Sequence, residues 1–294
     1  LARLLSGATI TGAHVFRERN LSTPDAPSFT EAVRGRRILG ARRRAKWIIV
    51  ELSGGILLLV HLRMTGQLLV LPAATERDPY IRLSLTLDDG REIRFRDVRA
   101  FGRVALVAQR SDGEAASSLD PHSPPLLADH GVEPLAAAFT PDALRSLIAH
   151  RRTRIKSLLL DQRCIVGIGN IYADEALFRA RLSPFRPARS LTEEEARRLY
   201  RALREVLAEA VELGGSTLSD QSYRQPDGLP GGFQTRHAVY GREGLPCPAC
   251  GRPVERLRQQ VREQIFAAVP DRTQAGLLAA LVVGDQRAIE RADW

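Results

Sequence analysis

The sequence predicts a multidomain α and β protein: an N-terminal β-sandwich, a helical domain and a small C-terminal hairpin module. Three observations predict it. Short apolar runs with period-two alternation fill the first hundred or so residues. A Ser-, Pro-, Asp- and Gly-rich stretch then interrupts the pattern, and beyond it the period changes to that of amphipathic helices with capping signatures.

The strands come first. "KWIIVEL", "GILLLVHLRM", "QLLVL", "YIRLSLTL" and "EIRFRDV" are short and apolar or alternating, and Asp89-Gly90 between two of them is a hairpin signal. Residues 1–112 therefore read as a sandwich of roughly eight strands. Residues 113–135 read as a linker, and the helical domain occupies 136–235. Thr140 caps its first helix, with Pro141 in the opening turn. Helices are expected over 153–162 and 171–180, and Thr192 with Glu195 forms a capping box for a long helix that stops at Gly214-Gly215. A Gly/Pro/Gln-rich loop, "SDQSYRQPDGLPGGFQ", and a short strand lead to "CPAC", so residues 236–268 read as a finger hairpin and 269–294 as a tail without a signature.

Charge narrows the partner. Forty-three Lys plus Arg against 34 Asp plus Glu leave a net +9, which favours a polyanion, with nucleic acid first. Lys46 and Lys156 are the only lysines in a chain that otherwise uses arginine. No apolar run reaches membrane-spanning length, there is no secretory pattern, and three cysteines do not make a disulfide scaffold; the expected location is the cytoplasm, in association with the nucleoid.

Between two helices lies "CIVGIGNIYADE". A dinucleotide loop would need a third glycine where Tyr172 stands, and a strand before it. The alternative is a glycine turn that opens a helix, with Asn170 as its cap and free backbone N–H groups aimed at an anion such as a phosphate. "HLRMTG" and "RDVRAFG" place Met64, Arg99 and Phe101 on turns, a composition suited to a wedge that enters a base stack. Residue type alone favours the plainer reading, core side chains at strand ends. Cys247 and Cys250 form a zinc-type knuckle, but no cysteine or histidine follows them, so a tetrahedral site would need His237 or a carboxylate.

Taken together, "RRRAKW", "HLRMTG", "RDVRAFG", "RTRIKSLLLDQ", "VGIGNIYADEALF", "GGSTL" and "VYGREGLPCPACG" resemble the bacterial formamidopyrimidine-DNA glycosylases, from the first residues to about Phe266. The resemblance implies a base-excision enzyme that acts as a glycosylase and AP lyase, removing oxidised purines (formamidopyrimidine, 8-oxoguanine) from duplex DNA. It implies that the helical half is a helix–two-turn–helix domain and the C-terminal module a finger hairpin, with double-stranded DNA with oxidised or abasic sites as partner, a monomer, and structural zinc on four cysteines. It places Lys46 at the damaged site as acid or phosphate anchor, and Met64, Arg99 and Phe101 as the triad that fills the gap left by the everted nucleotide. Arg151, Lys156 and Asn170 match phosphate contacts, and Arg262 matches the finger arginine that touches phosphate and assists elimination. The "SDQSYRQPDGLPGGFQ" loop resembles the family's lesion-covering loop.

Three departures set further expectations. The family opens with a proline whose amine attacks the sugar, followed by a glutamate, whereas these residues open at Leu1 within the helix that "LARLLSGATI" completes. Tyr80 stands in place of a phosphate-holding histidine. Counting from Arg262, the two further zinc cysteines fall on Ala267 and Pro270. A misplaced start with a shifted reading frame, or a decaying copy, fits that pattern, and the expectation is a chain that binds damaged or abasic duplex and turns over poorly. The rival readings are a catalytically inactive damaged-DNA-binding protein and an RNA-associated protein that shares the helical domain.

Overall fold

The computed structural model describes residues 1–108, 127 and 129–256. The chain divides into two compact units, Leu1–His237 and Ala238–Trp294. Arg262, Ala267, Pro270, most of the expected linker and the expected tail lie outside the described residues.

The first unit begins with a short helix, α1 (Ala2–Leu5), and nine strands follow among the described residues. They are β1 (Ile10–Val15), β2 (Leu21–Thr23), β3 (Ile38–Arg44), β4 (Trp47–Leu52), β5 (Ile56–His61), β6 (Gly66–Pro72), β7 (Ile81–Leu87), β8 (Arg91–Asp97) and β9 (Arg103–Ala108), with a helix α2 (Ala26–Val33) between β2 and β3. One sheet has the order β1-β7-β8-β6 and the other β2-β9-β5-β4-β3. All pairings are antiparallel except β2 with β9. Alternation makes the sandwich: Ile10, Val50, Leu58, Leu85, Ile93 and Phe95 share one core. Asp89 and Gly90 turn β7 into β8, with Gly90 at φ +81°.

Helices α3 (Pro141–Ile148), α4 (Ile155–Leu160), α5 (Asn170–Arg179) and α6 (Glu193–Glu212) form a second core around Phe139, Leu144, Leu159, Ile168, Leu199 and Phe233. Thr140 accepts from the Ala143 amide, and the Thr192–Glu195 capping box is complete. Helix α6 stops at Gly214 (φ +67°) and Gly215 (φ +82°), a left-handed pair that β-carbons would strain.

Two connections bind the helices to the sandwich within this unit. The segment 131–133 runs beside the glycine turn, with Val132 bridged to Ile165 and the Gly131 amide donating 2.9 Å to the Gln162 carbonyl. The Arg44 guanidinium, almost fully buried, donates to the carbonyls of His130 (3.0 Å) and Gly131 (2.8 Å). The loop after α6 returns to β6, an edge strand: the Val70 amide donates 2.7 Å to the Pro226 carbonyl, and Gln67 donates 3.0 Å to the Gln221 carbonyl. It thus covers backbone groups that an edge would leave open.

The short strand expected after this loop does not form. Phe233–Arg236 is a single 3-10 turn wound around the buried Phe233 ring, and residues 238–240 have no strand conformation. In the second unit, "CPAC" sits in a hairpin held by Gly244 N to Val254 O (2.9 Å), Val254 N to Leu245 O (2.9 Å) and Cys247 N to Arg252 O (2.8 Å). Substituting Thr192→Ala removes the α6 cap; urea unfolding is expected to show a loss of about 1 kcal/mol with the m-value unchanged.

Candidate functional site

The turn between β3 and β4 carries Lys46. Ala45 takes a left-handed φ of +53°, which throws the next side chain away from the sheet. The Lys46 ammonium ends 3.8 Å from the point where a β-carbon on Gly169 would sit, and a β-carbon on Gly167 would lie 3.5 Å from Arg43. Both are ordinary contact distances, so the β-lobe turn rests against the mouth of α5, where Gly167 is called for by its left-handed backbone. The ammonium is reached by solvent yet walled by protein on most sides. That desolvation, with Arg63 nearby, holds its pKa below the usual lysine value.

Beside it stands His61, which the Trp47–His61 register brings next to this turn. Its ring meets Trp47 edge-on at 4.9 Å. Nδ1 accepts from the Arg63 amide at 3.0 Å, so the neutral ring carries its proton on Nε2 and is a donor there. Burial first, then the charges of Arg63 and Lys46 and the neighbouring His130, lower its pKa to about 4. Lys46, Arg63 and this N–H make a cationic corner.

The turn of residues 62–65 and the β8–β9 loop of residues 98–102 lie side by side, because Gly66 pairs with Asp97 across β6 and β8. Met64 is 66% exposed and Phe101 40% exposed, so neither is the core side chain that residue type suggests. Arg99 joins them, its guanidinium 3.6 Å from the Met64 sulfur and 4.8 Å over the Phe101 ring. The carboxylate of Asp97, wholly buried, ties the loops together: Oδ1 accepts from the Thr65 hydroxyl (2.5 Å) and Oδ2 from the Gly102 amide (2.7 Å). Thr65 in turn accepts from the Arg99 amide at 3.2 Å. Left-handed Arg63 (φ +55°) and Ala100 (φ +54°) complete these loops. Three of the five left-handed non-glycine residues among the described residues thus fall on the turns that present Lys46, Met64 and Arg99, the others being Arg181 and Gln221.

The helical side supplies the glycine turn. Gly167 is left-handed (φ +81°), its amide donates to the Gln162 side chain (2.9 Å), and that side chain also donates to the Ile168 carbonyl (3.1 Å). The N-cap of α5 is Gly169, not Asn170 as the sequence suggested; extended Gly169 (φ −117°) needs no side-chain cap, and Asn170 becomes the first helical residue. The Asn170 side chain is exposed and makes no hydrogen bond among the described residues. Lys156 lies one helix away, in an ion pair with Asp174 at 2.7 Å, one turn beyond Asn170 on the same face of α5. Arg151 is exposed on the loop after α3. Tyr80 is half-exposed between two guanidiniums, Arg82 at 5.6 Å and Arg96 at 5.4 Å from its ring, and Asp78 pairs with Arg96 at 2.9 Å while accepting from the Tyr80 amide at 2.6 Å. The Tyr80 carbonyl accepts from the Asp97 amide at 2.9 Å, which puts it next to the wedge.

Tyr172, in the first turn of α5, packs on Phe233 at 5.7 Å; burial, with Tyr223 nearby, pushes its hydroxyl up to about 12. It thereby supports the base of the loop that reaches β6. In the second unit, Cys250 is exposed, and hydrogen bonds from the Arg252 backbone and side chain and from Cys247 lower its thiol pKa. Cys247 and Cys250 supply two of the four donors that structural zinc requires. His237 is within 3.1 Å of Ser216, and no cluster of three or more His, Cys, Asp or Glu occurs among the described residues. Among the described residues that is half of a tetrahedral zinc shell.

Sequence reasoning missed Asp97, His61 and Gln162. Asp97 and Gln162 act on backbone and hydroxyl groups through the fold, and His61 lay in a motif quoted for its methionine.

The fold and these side chains define a protein with a β-sandwich core and a helical core, whose Lys46 turn meets the entrance of α5 and whose sandwich loops expose a Met64–Arg99–Phe101 cluster. Comparison with known proteins is specific. The formamidopyrimidine-DNA glycosylase N-terminal domain model matches residues 1–104, and the H2TH domain model of the same glycosylases matches residues 130–222. The formamidopyrimidine-DNA glycosylase of Thermus thermophilus is 62% identical over 228 residues, 77% of this chain and 79% of the relative. That of Chloroflexus aurantiacus is 44% identical over 266 residues, 90% and 91% of the two chains. The crystal structure of the MutM (Fpg) protein from Thermus thermophilus superposes with a TM-score of 0.74 at 56% identity, covering 86% of this chain and 88% of that one. The chain belongs to the formamidopyrimidine-DNA glycosylase family, enzymes of base-excision repair.

Two outcomes follow from this geometry. Below its ordinary value near 6.5, His61 takes up a proton in the unfolded chain before the folded one, so its stabilising share is present above pH 6.5 and is lost as pH falls towards 4. Urea midpoints measured from pH 7 to pH 4.5 should therefore fall less steeply in His61→Asn than in the parent. Metal analysis of the purified protein is expected to find substoichiometric zinc.

Proposed function

We propose that this chain is a DNA glycosylase with AP lyase activity that acts on oxidised purines, formamidopyrimidine and 8-oxoguanine, in duplex DNA. One observation carries the reading: the ammonium of Lys46 stands against Gly169, so a cation from one lobe and the uncapped helix entrance of the other converge on one point. That is a phosphate seat. Proteins of known structure support its ligand. The Lactococcus lactis Fpg has been solved with DNA containing an abasic site, at TM-score 0.76 and 26% identity, and MutM with DNA containing carbocyclic 8-oxo-G, at TM-score 0.75 and 28% identity.

The chemistry assigned to these residues is capture and eversion. Lys46, the His61 Nε2–H and the free amides at Asn170 and Ile171 hold the phosphate beside the lesion, and Arg151, Lys156, Arg82 and Arg96 track the backbone. Met64 and Phe101 enter the stack while Arg99 keeps both in place and faces the orphaned base, so a nucleotide can leave the helix without its neighbours closing up. Lys156 can keep Asp174 and still offer a proton to phosphate, since an ammonium has three. In the family the attack on the sugar belongs to an amino-terminal proline, which is not among these residues. The Schiff base and the eliminations that follow it are its work, with Arg262 assisting, and Arg262 lies outside the described residues.

Binding to a duplex with a stable abasic analogue tests the reading. Lys46→Ala is expected to weaken binding and to lower the slope of log K against log salt by about 0.9, one phosphate's share. Met64→Ala is expected to lose roughly tenfold in affinity for that duplex and little for undamaged DNA, a difference of about 1.4 kcal/mol. Equal affinity for damaged and undamaged duplex in the parent would sink the proposal. A nicking assay with borohydride trapping on 8-oxoguanine duplex separates the enzyme from a binder that never cleaves.

A further inference from the structure

Glu133 lies outside the wedge, the glycine turn and the phosphate seat, yet its carboxylate is the point where the Lys46 turn is fastened. Oε1 accepts from the Ala45 amide at 2.6 Å and from Arg44 at 3.3 Å, and Oε2 accepts from Arg43 at 2.7 Å. Arg43 then closes the ring by donating 2.7 Å to the Ala45 carbonyl. The carboxylate is mostly buried, at 17% exposure, and Arg44 is nearly sealed. Glu133 itself sits on the segment bridged to the strand-like stretch before the glycine turn, through Val132 and Ile165.

The consequence is geometric. Ala45 occupies a left-handed conformation that an alanine does not choose freely, and the residue that follows it is Lys46. A carboxylate that grips the Ala45 amide, with its own guanidinium partners locking the carbonyl, fixes that conformation from the far lobe. We propose that Glu133 is a positioning residue: it anchors the Arg44–Lys46 turn to the segment that carries the glycine turn and so sets the Lys46 ammonium at Gly169. The inference rests on the phosphate-seat reading for its functional consequence, but the positioning itself is a property of the free protein.

The two-lysine composition makes the test direct. Reductive methylation with carbon-13 formaldehyde labels Lys46, Lys156 and the terminal amine and keeps their charge; Lys46→Arg assigns the Lys46 signal. In Glu133→Gln the Lys46 methyl signal is expected to narrow and move towards the position of a freely mobile lysine, while the Lys156 signal stays. Arg43→Ala, a change at a half-exposed side chain, is expected to give the same shift in smaller measure, and it keeps the test open if Glu133→Gln folds poorly. Affinity of Glu133→Gln for the abasic-analogue duplex should fall roughly tenfold at low salt, with the salt slope reduced as in Lys46→Ala. An unmoved Lys46 signal in both variants, whatever happens to their unfolding midpoints, overturns the proposal and leaves Glu133 a structural ion-pair partner. Failure of the parent to bind the duplex would overturn the functional reading alone, since the lysine signals decide the positioning without DNA.

Discussion

Everything at this site depends on how closely two backbones can approach. The Lys46 ammonium lies 3.8 Å from where a Gly169 β-carbon would sit, and the Arg43 guanidinium 3.5 Å from that point on Gly167, both ordinary contact distances. The turn of an antiparallel hairpin thus rests in contact with the entrance of a helix. The positive end of α5 and a lysine then act on the same volume, although the fields of two like charges oppose their meeting. Desolvation of Lys46 is the cost of that placement, visible in its lowered pKa. A phosphate in the seat would relieve it, which is why an anion suits the free protein's electrostatics.

The wedge is built by a different means. Met64, Arg99 and Phe101 belong to loops, the least constrained parts of a sandwich, yet a plug must be held ready before the duplex arrives. Asp97 provides the constraint by accepting from both loops with a single carboxylate that water does not reach. The Thr65 hydroxyl and the Gly102 amide supply its hydrogen bonds in place of water. Left-handed Arg63 and Ala100 show that the loops are held by tertiary bonds against their own preference.

The loop after α6 shares the same logic. Its base rests on Tyr172 and Phe233 of the helical core, and its middle accepts from β6 through the carbonyls of Pro226 and Gln221. It therefore spans from the helical core to the sheet edge at β6. Resemblance marked it as lesion-covering, and its two attachments give it a fixed path over the β6 edge.

Much of this was legible in the chain itself. Alternating runs specify strands because a sheet buries every second side chain, the Asp89-Gly90 pair specifies a turn, and Thr140, Thr192 and Glu195 specify helix starts, since each of these is settled within a few residues. The motifs around Lys46, Met64, Arg99 and Asn170 were legible too, as fixed strings. What could not be read were the bonds between distant residues. Gly169 and Asn170 are both suited to a cap, and only the hydrogen bonds of α5 chose between them. Glu133 and Asp97 are two among 34 acidic residues, and Glu133 meets Ala45 across 88 positions of chain. The sequence alone determined most of the elements and the residue types the chemistry needs, because local periodicity and short motifs are enough for both; helix α2 and the 3-10 turn at Phe233–Arg236 are the exceptions. Tertiary structure decided which carboxylates hold the turns in place, because a hydrogen bond depends on distance in space and carries no signature of separation along the chain.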